Sequence, residues 1–216
     1  MTVDVQIWSD VACPWCYVGK RRFERAVERF RAEGGDVAVT YRSFELSPDT
    51  PVDFEGDEVD FLARHKGMGR EQVVAMLEQM TALAADEGLA YDFGALRHTN
   101  TVLAHRLLHL AREHGVQEAM KERLLSAYFV EGRHVGRVED LADLAAEVGL
   151  DRGLVVTALT GDAYLDDVRA DQRRAAELGI RGVPFFVLDG RLGVSGAQSP
   201  ETFLAALQRA AAEVPA

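Results

Sequence analysis

The sequence predicts an α/β fold that carries a large all-helical insertion. Alternating apolar residues over 3–7 indicate a first strand with one buried face, and a helical pattern follows from Pro14 to about Ala32. A second alternating run spans 37–41. Two strands of one sheet that are joined through a helix form a right-handed unit and lie parallel. The chain therefore opens with a strand–helix–strand unit.

The middle of the chain is predicted to be almost wholly helical. From about 57 to 178, apolar residues recur at helical spacing, and glycines end several of the helices. Three of these ends lie at Gly88, Gly115 and Gly149. There are too many helices here for one crossover between strands. We therefore expect a helical subdomain at 51–164, inserted into an α/β domain formed by 1–50 and 165–216.

The last part of the chain returns to strands. An apolar run at 183–188, the pair Asp189-Gly190 and a further run at 191–194 predict a tight hairpin. An amphipathic helix over 200–212 closes the chain. The predicted sheet thus has two parallel strands followed by two antiparallel ones.

The composition of this 216-residue chain restricts its partners. The formal net charge of −11 argues against nucleic acid and anionic membrane surfaces, which are bound through Lys and Arg. No apolar run approaches the roughly 20 residues that span a bilayer. The amino terminus lacks a basic segment followed by an apolar stretch, so we expect no secretory signal and a cytoplasmic location. The oligomeric state is left open.

Two cysteines, Cys13 and Cys16, form a Cys-Pro-Trp-Cys motif at the predicted start of the first helix. A reducing compartment disfavours a purely structural disulfide, which leaves the pair to be explained in another way. The attacking species in disulfide exchange is a thiolate, and the N–H groups and dipole at a helix start lower the pKa of a thiol. We therefore expect Cys13 to be the more exposed and more acidic thiol. Cys16, one turn later, is the predicted resolving thiol.

A metal site is a less favoured interpretation of the cysteines and histidines. A Cys-x-x-Cys pair can be half of a zinc site, but the chain has no further cysteine to complete four ligands. His105 and His109 are four residues apart on one predicted helix, and we interpret them as core or solvated histidines. We thus expect no metal site. Trp15, between the cysteines, is expected partly to pack and partly to control substrate access.

Pro184 opens the third predicted strand. A proline there has no N–H for the ladder, and the peptide bond before it can be trans or cis. Taken alone, such a residue is typical of an edge strand. Combined with the cysteine motif and the strand order, it indicates a functional proline, and the isomer of the bond after Val183 stays open at this point.

In their order along the chain, these motifs resemble the DsbA-like branch of the thioredoxin fold and, within it, the FrnE-like oxidoreductases. The resemblance covers nearly the whole length. The segments that carry it are Ser9–Cys16, Asn100–Thr101, Ala104–Leu107, Tyr128–Gly132, Gly182–Phe186 and Ser195–Gln198.

This resemblance implies a thioredoxin fold whose helical domain is inserted between the second and third strands. It also implies a cis peptide bond between Val183 and Pro184. The Val183 backbone would then lie beside Cys13, where it would pair with an extended substrate. The candidate substrate-binding residues are therefore Trp15, Val183 and Pro184. Asn100 is a further candidate, although a cap on the following helix is the favoured interpretation of this residue.

The leading functional hypothesis is thiol–disulfide exchange on protein or small-molecule thiols, with the cysteine pair as the redox group and no other cofactor. The alternative is a glutathione-dependent isomerase or a kappa-class-like glutathione transferase, which share this fold but typically have serine in place of Cys13. A third hypothesis is a binding module that uses a cleft formed by the helices. Glutathione stays open as a reductant or co-substrate. The direction of exchange is also open, since Pro14 and Trp15 include no histidine that would stabilise a thiolate.

Overall fold

The computed structural model describes residues 2–212. Within this range the chain forms an α/β protein of four strands and nine helices. Their bounds are β1 (Thr2–Ser9), α1 (Pro14–Ala32), β2 (Asp36–Ser43), α2 (Glu58–Lys66), α3 (Arg70–Asp86), α4 (Val102–Glu113), α5 (Gln117–Phe129), α6 (Val138–Glu147), α7 (Arg152–Thr160), α8 (Leu165–Glu177), β3 (Phe185–Leu188), β4 (Leu192–Ser195) and α9 (Pro200–Ala212). In this part of the chain, no helix has both the length and the apolar character needed to cross a membrane.

The chain divides into two compact units. One unit combines Met1–Leu46 with Val168–Ala216 and contains the sheet, and the other is the contiguous segment Ser47–Asp167. The sequence predicted these junctions at 50/51 and 164/165, a few residues away from where they lie. The second junction falls inside α8, because this helix begins before it and continues into the sheet unit.

The sheet has the strand order β2-β1-β3-β4. β1 is parallel to β2 and antiparallel to β3, with Ile7 opposite Phe186. β3 and β4 form the predicted hairpin around Asp189-Gly190. Asp189 and Gly190 both have a positive φ, 48° and 67°. Leu188 pairs with Leu192, so the loop has three residues, 189–191, one more than the two-residue loop that Asp189-Gly190 predicts. The Arg191 N–H closes the turn on the Leu188 carbonyl oxygen at 3.0 Å, which leaves Arg191 outside the strand pairing. The predicted direction of each strand is confirmed.

The end of β1 is buried on both faces, whereas the sequence predicted one buried face. Ile7 packs in the core between one side of the sheet and the helices α1 and α9. On the other side, Trp8 packs against Ala175 of α8 and against Ile180, and its Nε1 donates to the Asp171 carbonyl oxygen at 3.0 Å. A helix from a distant part of the chain thus covers the face that was expected to be exposed. The residues that follow β1 are therefore buried as well.

Helix α1 is fixed on the sheet by aromatic packing. Phe23 lies 5.2 Å from Phe186 of β3 and 5.5 Å from Phe203 of α9, measured between ring centroids. The buried residues of α1 recur at helical spacing from Phe23 to Phe30, so one stripe of the helix faces the sheet. This packing holds the first turn of α1 at the end of β1.

Helix α4 is the most deeply buried helix of the second unit. Every residue from Ala104 to Ala111 is buried, including His105 and His109. The Arg106 guanidinium donates to backbone carbonyl oxygens at and after the end of α7, which would otherwise have no partner in that helix. The acceptors are Ala158, Leu159, Gly161 and Ala163. Arg106 therefore caps α7 from a neighbouring helix.

Candidate active site

The Cys-Pro-Trp-Cys motif connects β1 to α1. Cys13 has an extended backbone, with φ −97° and ψ 111°, and directly precedes the first helical residue, Pro14. The Cys16 N–H donates to the Cys13 carbonyl oxygen at 3.0 Å, so the motif forms the first turn of the helix. Both cysteines are buried, with only 4% and 3% of their surfaces exposed. The structure thus brings the two predicted catalytic residues together as a buried pair.

The pKa of Cys13 is raised well above that of an ordinary thiol. The largest cause is the hydrogen bond with the Cys16 thiol, followed by burial, and the charges of Cys16 and Asp10 act in the same direction. The Cys16 backbone N–H, which belongs to the helix start, acts in the opposite direction. The helix start was expected to lower the pKa of Cys13, and that expectation is wrong. The favourable effect of the helix start exists, but burial and the neighbouring groups outweigh it. The predicted comparison with Cys16 in exposure and acidity stays a prediction, since both thiols are almost fully buried.

Asp10 is a buried acidic residue that the sequence did not single out. Its side chain accepts a hydrogen bond from the Ala12 N–H at 3.3 Å and another from the Leu46 N–H at 2.8 Å. Only 1% of its surface is exposed. These bonds hold the carboxylate against the residue that precedes Cys13. The available signal in the sequence was an acidic residue three positions before the first cysteine.

Val183 and Pro184 lie beside the motif within the sheet unit. The Cys13 Sγ donates to the Val183 carbonyl oxygen at 3.5 Å, and the peptide bond between Val183 and Pro184 is cis. The proline ring packs on α1 at Gly19, where an added Cβ would lie 2.9 Å from its Cγ. The Gly196 N–H donates to the Pro184 carbonyl oxygen at 2.8 Å. Two of the predicted substrate-binding residues therefore adjoin the Cys13 thiol and are themselves held in place.

The other two candidates differ in their surroundings. Trp15 is 44% exposed and stands in sequence between the buried cysteines. Asn100 belongs to the helical unit, where its Oδ1 accepts from the Val102 N–H at 2.9 Å at the start of α4. Its Nδ2 donates to the Pro48 carbonyl oxygen at 2.8 Å. These contacts fit the cap interpretation of Asn100, and a role in substrate binding stays a prediction.

The histidines considered as metal ligands, His105 and His109, lie within the buried α4. Across residues 2–212, no three side chains of His, Cys, Asp or Glu are grouped so that they could hold a metal ion.

The comparison with known families identifies this arrangement. The family model of the DsbA-like thioredoxin domain matches residues 4–208. The chain belongs to the DsbA-like thioredoxin family. The match spans both units and includes Cys13, Cys16 and Pro184. The resemblance inferred from the motifs is confirmed at the level of this family, and the FrnE-like subfamily stays a prediction.

Two relatives are similar over nearly their whole lengths. The crystal structure of a probable DsbA oxidoreductase from Streptomyces coelicolor is 46% identical, with a TM-score of 0.92, and the match covers 99% of this chain and 92% of that one. The Bacillus subtilis protein YwbO is 31% identical over 205 residues, which are 94% of each chain. Both matches therefore extend over the two units of this chain.

More distant structures share the fold alone. The cytosolic disulfide reductase DsbM from Pseudomonas aeruginosa is 23% identical with a TM-score of 0.67 over 98% of this chain and all of its own. A 2-hydroxychromene-2-carboxylate isomerase is 16% identical with a TM-score of 0.68, covering 97% of this chain and 95% of that one. The fold is thus common to reductases and isomerases, and the residues of the site must distinguish between them.

Proposed function

We propose that this DsbA-like protein is a thiol–disulfide oxidoreductase of the FrnE-like type, which exchanges disulfides through Cys13 and Cys16. The observation that carries the proposal is the pair of adjacent cysteines in one helical turn, with the Val183 carbonyl oxygen 3.5 Å from the Cys13 sulfur. A second thiol in the same turn is what the release of a mixed disulfide requires. The 46% identity with a probable DsbA oxidoreductase supports the same assignment.

The proposed reaction has two exchange steps. The Cys13 thiolate attacks one sulfur of a substrate disulfide, a mixed disulfide forms, and the other substrate sulfur leaves as a thiolate that takes up a proton. Cys16 then loses its proton and attacks the Cys13 sulfur, and the second substrate thiolate leaves. The substrate ends as a dithiol and the protein as a Cys13–Cys16 disulfide. Because the pKa of Cys13 is raised, the first step should accelerate as the pH rises.

The groups around the thiols suggest how a substrate is held. The backbone of Val183 is adjacent to Cys13. An extended substrate segment would pair with the Val183 backbone as an added strand. Pro184 packs on α1 and fixes the position of this segment. The exposed indole of Trp15 offers an apolar surface next to the motif. We propose these three residues as substrate contacts, for protein or small-molecule disulfides and thiols.

The proposed reaction needs no bound cofactor, because the cysteine pair itself is oxidised and reduced. A small thiol such as glutathione would return the disulfide to the dithiol, in line with the structure of the related DsbM with glutathione. The related DsbM is a cytosolic protein, and a reducing compartment would keep a redox cysteine pair as the dithiol that attacks disulfides. We therefore propose a cytoplasmic location.

The alternative, a glutathione-dependent isomerase or transferase, is separated from this proposal by residues of the site. Those enzymes activate the thiol of a bound glutathione and need no second cysteine in the protein. Here Cys16 adjoins Cys13 in the first turn of α1, which a chain that only binds glutathione would not use. The exchange reaction therefore remains the proposed function.

The reduction of insulin disulfides in the presence of glutathione tests the proposal. The wild-type protein should accelerate the reaction, Cys13→Ser should abolish the acceleration, and Cys16→Ser should accumulate a mixed disulfide with the substrate at Cys13. The mixed disulfide can be identified by mass spectrometry without reductant.

Three results would contradict the proposed function. Insulin reduction at the uncatalysed rate, together with tight glutathione binding by calorimetry, would favour the isomerase or transferase class. A Cys13→Ser variant with wild-type activity would exclude Cys13 as the nucleophile. A protein with neither exchange activity nor glutathione affinity would leave the binding module as the better hypothesis.

A further inference from the structure

The helical unit contains a groove that the proposed exchange reaction does not use. It has a volume of about 550 Å³ and is lined by α3, by the start of α2 and by the segment 91–94. Leu77 and Tyr91 form a buried apolar floor. Val74, also in the lining, has 41% of its surface exposed. A volume of this size accommodates a ligand or several side chains of a partner.

One stripe of α3 runs along this groove. Val74, Leu77, Glu78 and Thr81 are spaced by three and four residues, so they lie on the same side of the helix. The stripe covers about two turns, or roughly 12 Å of helix axis. A side of a surface helix that is exposed to water is normally polar, whereas this one presents an exposed valine beside a buried leucine. Its shape and length fit an amphipathic helix of about two turns.

The rim of the groove is negatively charged. Asp57, Glu78 and Asp92 line it, and no lysine or arginine is among the lining residues in the described part of the chain. Asp57 is paired with Arg70, at 3.4 Å, and Asp92 accepts the Gly94 and Ala95 N–H groups at 3.0 Å each.

Glu78 differs from the other two carboxylates in its surroundings. Among residues 2–212 it makes no hydrogen bond and no ion pair, and the lining residues one turn away on α3 are apolar, Val74 and Ala82. An apolar floor beside the carboxylate of Glu78, which has no cationic partner within residues 2–212, is complementary to a partner that is apolar in the centre and cationic at its edge.

We propose that this groove binds a basic, amphipathic helical segment of another protein. The charge of the whole chain favours this occupant over the alternatives. A second copy of the chain carries the same net charge of −11, and nucleic acid is anionic, so both would be repelled by the rim. The proposal goes beyond thiol–disulfide exchange and does not depend on it.

Fluorescence anisotropy with the full chain tests the groove. The probe is a fluorescein-labelled 14-residue peptide of leucine and lysine, with leucine at helical spacing, and the comparison peptide has glutamate in place of each lysine. The lysine peptide should bind, and the glutamate peptide should bind at least tenfold more weakly. Glu78→Lys and Val74→Asp should each weaken binding of the lysine peptide by about tenfold.

The matched control is Asp86→Lys. It makes the same change of charge on α3, at an exposed position outside the groove and near the end of the helix, where a cation is tolerated. This variant should retain the wild-type affinity. Thermal unfolding of each variant shows whether its fold is intact, and Glu78→Lys should reduce insulin as fast as the wild type.

Three outcomes would overturn the proposal. Equal weakening by Asp86→Lys and Glu78→Lys would show general attraction of a cationic peptide to an acidic protein. Equal affinity for the two peptides would show that charge does not select the occupant. A dimer in solution that Val74→Asp dissociates would assign the groove to a second copy. Because binding is measured without a redox reaction, these results are distinguishable from a failure of the proposed oxidoreductase activity.

Discussion

At Cys13, local and tertiary effects on the thiol act in opposite directions. The helix start lowers its pKa through the Cys16 N–H, whereas the Cys16 thiol, burial and the Asp10 carboxylate raise it. The motif predicts the first effect from sequence alone, because the position of a residue before a helix is a local property. The second set of effects depends on which groups surround the sulfur in the folded protein. The acidity of this cysteine is thus a property of the site and cannot be assigned from the motif.

Asp10→Asn should lower the pKa of Cys13. Asparagine removes the negative charge while its carbonyl oxygen can still accept one of the two backbone N–H bonds. Cys13 of the reduced variant should therefore react faster with iodoacetamide near neutral pH, and its rate profile should move to lower pH. Peptide mapping across a pH series measures this for each cysteine. Asp4→Asn, at an exposed position of β1, the strand that precedes Asp10, is the control and should leave the profile unchanged.

The reduced protein should lose stability above about pH 8.5, the ordinary value for a thiol. Because the pKa of Cys13 is raised in the folded state, the unfolded chain releases this proton first as the pH increases. The unfolded state then binds fewer protons, and the free energy of unfolding falls. The stabilisation linked to the raised pKa of Cys13 is complete below about pH 8.5, and it is lost as the pH rises toward that raised pKa.

Urea unfolding under reducing conditions, at about pH 7.5 and about pH 9.5, measures this loss. Cys13→Ser is the control and should show a smaller change between the two values. Burial and a hydrogen bond with Glu113 also raise the pKa of Tyr164, to about 12, but a tyrosine contributes only above its ordinary value of about 10. The same decrease in both proteins would contradict the assignment to Cys13.

Among elements, the contact between α1 and the segment before β3 determines the geometry of the site. Gly19→Ala should displace this segment, because the added Cβ would lie 2.9 Å from the Pro184 Cγ and 3.4 Å from the Ala197 Cβ. Insulin reduction should slow by about tenfold or more, since small displacements at a reacting centre are costly. Alanine is the better helix former by about 1 kcal/mol, so the midpoint of thermal unfolding should change little. Gly182→Ala, whose added Cβ meets no atom within 4 Å, should keep wild-type activity.

Arg106→Met should destabilise the protein through the end of α7. The variant keeps an apolar stem but leaves the buried carbonyl oxygens that Arg106 binds without their donor. Hydrogen bonds from a charged donor contribute about 1.5–3 kcal/mol each, and the loss here should be about 3 kcal/mol or more. Urea unfolding of this variant gives the value. Arg112→Met, in the same helix and only half-buried, should cost less than about 1 kcal/mol.

The elements that the sequence predicted best have local signals. Asp189-Gly190 fixes the hairpin because both residues adopt positive φ, and Gly88, Gly115 and Gly149 each follow a helix end closely. The burial of Trp8 on the second face of β1 had no such signal, since α8 covers it from a distant part of the chain. The same holds for the Arg106 cap, whose acceptors lie more than fifty residues away.

For the whole molecule, the sequence predicts the insertion well because its two parts have different periodicities. All four strands lie before residue 44 or after 184, and the described elements between these positions are all helices. The exact junctions were missed by a few residues, because α8 continues from one unit into the other and has no change of pattern at Val168. The motif indicates the function more specifically than the fold does, since a reductase and an isomerase share this fold.

The helical segment Ser47–Asp167 should fold when it is expressed by itself. It is contiguous in sequence, it forms one compact unit, and its helices contain fully buried side chains such as Leu107, Leu124 and Leu141. Circular dichroism should show a helical protein with a cooperative thermal transition. The matched control is Met1–Leu46, which should stay unfolded because β1 then lacks β3 and α1 lacks its packing partner α9. A helical segment that unfolds without a cooperative transition would show that its core needs the sheet unit.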